Sequence, residues 1–503
     1  MKNLAHQHIL VLGLGVSGLA LARWCARCGA DVTVADTRPA PPQLAALQAS
    51  VPKAGFVNAA MDSALLDIEK FDLVLKSPGL SPASISGVVE AAQAQGIACG
   101  NELSLFAQAL VDLKADTAYS PTVIGITGTN GKTTVTSLAG LLIERAGRSV
   151  AVAGNIGPTL LGTLGDKLDA LTADPSVAMP DAWVLELSSF QLDGVTNFEP
   201  TVATVLNITQ DHLDWHENLP AYLAAKQRVY GQSGRMLLNR DDPRVMKALP
   251  DSVKGKAGRS YQTFGCDEPR RPGDYGIETV HGMAWLVRAA EADEHFKRRK
   301  VEATALHLQR LMPVEALRIR GRHNAANALA ALALASSAGC ALAPMLHGLR
   351  EYRGEPHRME LVAVLDGVEY FDDSKGTNVG ATAAALNGLG GERKLVLILG
   401  GEGKGQDFTP LAEPVARHAR AVVLIGRDAP LIRAALRNAG AKLLDAASMQ
   451  EAVGLAAVQA QPGDAVVMSP ACASFDMFDD YAHRARVFCD AVRELAVEQG
   501  AVL

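Results

Sequence analysis

The sequence predicts an α/β protein of three domains, and three observations carry that prediction. Short apolar runs alternate with helical patterns over most of the chain, the signature of parallel sheets with crossover helices. Two glycine-rich turns each follow an apolar run and open a helical one. At 503 residues the chain is too long for one typical core. The expected units are a Rossmann-like domain over 1–118, a central domain over 119–353 with a P-loop ATPase-like parallel sheet and a small subsidiary β-sheet, and a C-terminal Rossmann-like domain over 354–503.

Taken in order, "HILVLGLG" reads as a strand, 17–29 as a helix, and "DVTVAD" and "FDLVLKSPG" as further strands. The polar "DLKADTAYSP" closes this unit. "TVIGITG" opens the second, followed by the strand-like runs "SVAVAG", "AWVLELSS", "TVATVLN" and "RMLLN". Across 259–320 the alternation lapses, and "SYQTF" and "GMAWLVRA" point to the subsidiary sheet. Helical residues 323–351 end the unit. The third begins with an antiparallel pair turning at Asp366 and Gly367, then "KLVLILGG", "AVVLIG", "AKLLDA" and "DAVVMSP".

With 48% hydrophobic and 20% charged residues, the composition excludes a disordered or fibrous chain. A net charge of -6 argues against a nucleic-acid binder, which needs a basic excess to displace counterions. The basic run "KRRK" at 297–300 stands beside "EADE" and reads as a solvated face. The seven cysteines form no regular pattern, which predicts reduced thiols and a cytoplasmic protein. Cys25 and Cys28 make a lone C-x-x-C inside a helical pattern and read as structural. The Ala-rich segment 325–346 is broken by Ser336, Ser337, Gly339 and Pro344, so no membrane insertion is expected.

The stretch "GITGTNGKTT" at 125–134 departs from the usual phosphate loop, because Ile126 stands where a glycine is expected. Gly125, Gly128 and Gly131 still allow backbone N–H groups to approach an anion, the helix that follows adds positive potential, and Lys132 can reach terminal phosphates. Thr133 is placed to ligate Mg²⁺, and Glu186, an acid ending a buried strand, needs a partner that this ion would supply. "LNITQDHLDWH" gathers Asp211, His212, Asp214 and His216, the residue types of a metal cluster, although histidines alone are more often structural. In the first unit Gly13, Gly15 and Gly18 form G-x-G-x-x-G, with Asp36 ending the next strand. The pattern by itself is a dinucleotide fingerprint, but an NAD-dependent oxidoreductase would leave the 125–134 loop idle. In the third unit lysines stand in "DDSKGTN" and "GGEGKG", and "SPACASFDMF" forms a further loop, where open α/β sheets bind anionic ligands.

These motifs, in this order, resemble the Mur ligase family over essentially the whole chain. "ELSSFQL", "PHRME", "DDSKGTN", "GGEGKGQDF" and "SPACASFDMF" are most similar to its D-glutamate-adding branch. The resemblance implies an ATP-dependent, ADP-forming ligase that joins D-glutamate to UDP-N-acetylmuramoyl-L-alanine during cytoplasmic peptidoglycan synthesis, and so serves cell shape and division. It implies two Mg²⁺ ions and weak contacts with other wall-synthesis enzymes. Gly15, Val16, Ser17, Asp36, Thr37 and Arg38 would hold the UDP moiety, with Asn155 and His212 at the sugar-peptide end. ATP would lie on Gly125, Gly128, Thr129, Asn130, Gly131, Lys132, Thr133 and Thr134, with Asn327, Arg358 and Asp373 around ADP. Lys132, His212 and Lys226 would carry the chemistry, and Thr133, Glu186, His212 and a carbamylated Lys226 the metals. Lys375, Thr377, Lys404, Ser474, Phe475 and Tyr481 would bind D-glutamate. Phe475 and Tyr481 depart from the leucine and phenylalanine of other members, and 165–182 and 265–300 contain extra residues. A sister ligase for another amino acid and a non-catalytic nucleotide-binding scaffold are the alternatives.

Overall fold

The computed structural model describes residues 4–250, 258–291, 306–391 and 393–500, so the basic run at 297–300 lies outside the described residues. The first sheet is wholly parallel. It contains His8–Leu12 (β1), Asp31–Asp36 (β2), Gly55–Asn58 (β3), Leu73–Lys76 (β4) and Ala98–Asn101 (β5), in the order β3-β2-β1-β4-β5. The order reverses at β1, so the loop after it opens into the crevice where such sheets bind ligands.

Central strands Thr122–Thr127 (β6), Val150–Gly154 (β7), Ala182–Glu186 (β8), Val202–Val205 (β9), Arg235–Asn239 (β10) and Tyr261–Phe264 (β11) form a second parallel sheet, ordered β11-β10-β9-β6-β8-β7. The chain passes from β6 to one edge and returns to its other side, which puts the 125–134 loop at the switch point. "SYQTF" corrects the expectation: β11 pairs in register with β10 and extends this sheet. The subsidiary sheet is instead the antiparallel meander Tyr275–Val280 (β12), Met283–Glu291 (β13) and Leu306–Pro313 (β14).

In the last unit Glu360–Leu365 (β15) and Val368–Asp372 (β16) form the expected hairpin, with positive φ at both Asp366 and Gly367. Leu395–Gly400 (β17), Ala419–Ile425 (β18), Lys442–Asp445 (β19) and Ala465–Met468 (β20) complete the order β15-β16-β20-β17-β18-β19. Strands β16, β20 and β17 are parallel neighbours, so the loops after them lie side by side. Those are the DDSKGTN, SPACASFDMF and GGEGKG loops.

One apolar core runs unbroken from the first sheet into one face of the second, with Phe106 edge-on to Trp183 at 5.1 Å. The third unit has separate cores. Among the described residues no helix is long and apolar enough to cross a membrane. All seven cysteines are free, and burial pushes the Cys25 thiol up to about 12, which suits an inert core residue.

Candidate active site

Position 126 answers the question raised by the missing glycine. Ile126 is still in β6 with its side chain fully buried, so the turn begins later, at Gly128. Gly131 has φ +82°, and a Cβ there would lie 2.7 Å from Asn327 Oδ1, so only glycine fits. Lys132 is the first residue of helix Lys132–Arg145, and its Nζ donates to the carbonyls of Gly128 at 2.9 Å and Thr129 at 2.8 Å. Burial lowers its ammonium below the usual range, while Glu186 and Asp211 oppose that effect. Glu186 is 3% exposed and accepts from Asn155 Nδ2 at 3.0 Å.

Lys226 lies on helix Leu219–Gln227 yet is 2% exposed. Its Nζ donates to Gly128 O at 2.9 Å and Thr127 Oγ1 at 3.4 Å, and sits 4.6 Å over the Tyr222 ring. Burial, reinforced by the positive charge of Lys132, holds it well below an ordinary lysine. His212 has φ +52° and packs edge-on against Phe190 at 4.7 Å. Its imidazole is also lowered, by burial first, with Asp211 opposing. His216 is buried among Phe190, Trp215 and Tyr222, so it is a core residue and not a ligand beside His212. The side chain of Asp214 lies outside the described residues.

The third unit closes directly over this loop. Arg358 Nη2 donates to Thr133 Oγ1 at 2.9 Å, and Asn378 Nδ2 reaches Asn130 Oδ1 at 3.1 Å and Asp211 Oδ2 at 3.3 Å. Asn130, Asn327, Arg358 and Asp373 line a shared cavity of about 330 Å³. The buried Nε of Arg358 has no partner there among the described residues. Burial pushes Asp373 up to about 7, although Ser469 Oγ donates to it at 2.6 Å. Lys375 is lowered to about 8, chiefly by burial, and feels Arg358, Glu186 and Lys132. Its Nζ lies 5.0 Å over the Tyr481 ring, and that of Lys404 5.8 Å over Phe475, which is 64% exposed. Lys404 is near enough to His212 to lower it further.

Family models match all three units: the "Mur ligase MurD-like, N-terminal domain" over 7–100, the "Mur ligase middle domain" over 126–335, and the "Mur ligase, glutamate ligase domain" over 357–472. The chain belongs to the Mur ligase family. A protein of Albidiferax ferrireducens called UDP-N-acetylmuramoylalanine--D-glutamate ligase is 64% identical, with 100% of this chain and 99% of that one covered. One of the same name from Burkholderia thailandensis is 57% identical over 98% of each. The fold is also that of a MurF ligase of Thermotoga maritima solved with ADP (TM-score 0.57, 16% identity, 99% and 97% covered). The UDP-N-acetylmuramate-alanine ligase of the same organism gives 0.53 at 19% identity, with 97% and 100% covered.

The first unit of this Mur ligase presents Val16 and Ser17 at the start of helix Val16–Arg27. Gly18 is compulsory: a Cβ there would stand 1.9 Å from Gly13 O. Asp36 accepts from Leu14 N at 2.7 Å and from Arg38 N and Nε, each at 2.9 Å, so it braces the glycine loop and orients Arg38. The Arg38 guanidinium holds its carboxyl well below the usual range. Thr37 and Val16 are exposed on this rim. The pattern of acids and lysines did not disclose Thr127, which grips Lys226, or Glu102, buried between units. A hydroxyl in a strand and a carboxylate at a helix start carry no distinguishing local signal.

Proposed function

We propose that this Mur ligase forms an amide bond between UDP-N-acetylmuramoyl-L-alanine and D-glutamate at the expense of ATP, releasing ADP and phosphate. The observation that carries the proposal is the contact of Arg358 with Thr133 and of Asn378 with Asn130 and Asp211 across the boundary of two units, with Lys375 near Lys132 and Glu186 and Lys404 near His212. A phosphate loop and an amine-acceptor pocket facing one another fit a two-step ligation, and full-length relatives carry that reaction in their names. The proposed limits are 1–118 for the sugar nucleotide, 119–353 for ATP and 354–503 for the amino acid.

In the first step an oxygen of the alanine carboxylate attacks the γ-phosphorus, and the bond to ADP breaks, giving an acyl phosphate. Lys132 and Arg358 face the phosphates and offset the developing negative charge, where most catalysis of phosphoryl transfer resides. The D-glutamate amine then attacks the acyl carbon, phosphate leaves with its electron pair, and the amine gives up a proton. The lowered pKa leaves His212 neutral at pH 7 with a lone pair, available either to that proton or to a metal but not to both. Lys375 and Lys404 supply positive charge for the D-glutamate carboxylates, with Thr377, Ser474 and Phe475 on the same three loops and Tyr481 opening the helix Tyr481–Glu498 that follows.

The donor set fits Mg²⁺: Thr133 hydroxyl and Glu186 carboxylate are hard oxygen ligands beside the loop. Bound there, Mg²⁺ would neutralise phosphate charge. Lys226 fits carbamylation, because CO₂ adds to a free amine and burial favours the neutral form of this one. The resulting carboxylate, with His212, would provide a second Mg²⁺ site. The test uses substrate whose alanine carboxylate is labelled with heavy oxygen. Transfer of label into the released phosphate is expected, and unlabelled phosphate would exclude the acyl phosphate.

A further inference from the structure

Glu102 is a deeply buried acid, at 1% exposure, where the first and second units join. It is the first residue of helix Glu102–Thr117, which packs with helices Val16–Arg27 and Leu160–Ala173. Its Oε1 accepts from Leu161 N at 3.0 Å, and Leu160 N–H and the Ser17 hydroxyl also face the carboxyl. Among the described residues its Oε2 has no partner of good geometry. One carboxyl is therefore shared by the first turns of three helices, one of which carries the glycine loop of the sugar-nucleotide rim. Among the described residues no charged side chain contributes to its surroundings. Its charge has only N–H groups, one hydroxyl and helix-end potential to stabilise it.

We propose that Glu102 is a proton-linked positioning residue for the sugar nucleotide: a diphosphate arriving at the start of helix Val16–Arg27 competes for Ser17 and for the same positive potential, and Glu102 takes up a proton from solvent as it binds. Protonation removes one of two anions that share a single helix terminus. Burial already pushes this carboxyl up to about 7, so the uptake falls in the neutral range. The inference rests on the reading of that loop as the diphosphate site.

The test is calorimetry of UDP-N-acetylmuramoyl-L-alanine binding to the full chain at neutral pH, in buffers of different ionisation enthalpy. The diphosphate diester does not titrate there, and uridine serves as the uncharged control. Wild type is expected to take up about half a proton with the sugar nucleotide and none with uridine, and its affinity to fall as pH rises from about 6.5 to 8.5. Glu102→Gln keeps an acceptor and should bind with no uptake and a flat pH profile. Equal uptake in Glu102→Gln, equal uptake with uridine, or none in a wild-type chain that binds would overturn the proposal. The uridine comparison needs no variant, so it holds even where Glu102→Gln fails to fold. A wild type that does not bind the sugar nucleotide at all would overturn the reading of the loop itself, an outcome separate from binding without uptake.

Discussion

An ammonium at 2% exposure, in contact with a carbonyl, a hydroxyl and a ring face, favours its neutral form although Asp211 and Glu186 oppose this. Lys226→Ala is therefore expected to be nearly inactive and partly restored by millimolar short carboxylic acids, assayed as phosphate release; absence of rescue would remove the carbamate. Lys132→Ala should lower ADP formation by about 10³-fold or more, since it removes a charge that acts on the transferring phosphoryl group. Near-normal turnover would contradict its placement. For Glu102 the sign of pH dependence follows from linkage: the unfolded acid ionises near 4.5 and the folded one near 7, so the native state holds the extra proton. Its ionisation costs stability as pH rises between those values, and the cost is constant above them. Glu102→Gln should then raise Tm at pH 8 relative to wild type more than at pH 5; the reverse order would refute the raised pKa. Lys132 could be read from its loop, because glycines and a helix start surround it in sequence. Lys226 could not, because its burial comes from contacts with residues 98 and 99 positions away.

Helix Glu102–Thr117 shows how an element boundary becomes an inter-unit joint. Asn101 caps it by accepting from Ser104 N at 3.0 Å, and its Nδ2 donates across the boundary to Gln191 O at 2.9 Å. Asn101→Ala should cost about 1–2 kcal/mol from the cap, seen as a lower midpoint in denaturant unfolding. An unchanged midpoint would show that water replaces both bonds. The hairpin at Asp366 and Gly367 was legible because its turn chemistry is local. "SYQTF" was not, because a short β-branched and aromatic run gives no sign of which sheet it will join. Its register with β10 is decided by packing at the sheet edge.

At the scale of the whole molecule, the first two units share one core while the third is joined through polar contacts at Thr133, Asn130 and Asp211. Polar contacts of this kind exchange with water at little cost, so the third unit is the part expected to open when no ligand is bound. Small-angle scattering should show a smaller radius of gyration with ATP and sugar nucleotide than without, and an unchanged radius would contradict closure. The order of the units was legible from their motifs, whereas their meeting followed only from the family resemblance, since nothing in "PHR" by itself specifies a hydroxyl 225 positions earlier. The most direct test of the account is phosphate release with ATP, Mg²⁺ and UDP-N-acetylmuramoyl-L-alanine, offered D-glutamate, L-glutamate, L-lysine, meso-diaminopimelate or no amino acid. Release that depends on D-glutamate is the predicted result; release with a different amino acid, or with none of them, would contradict it.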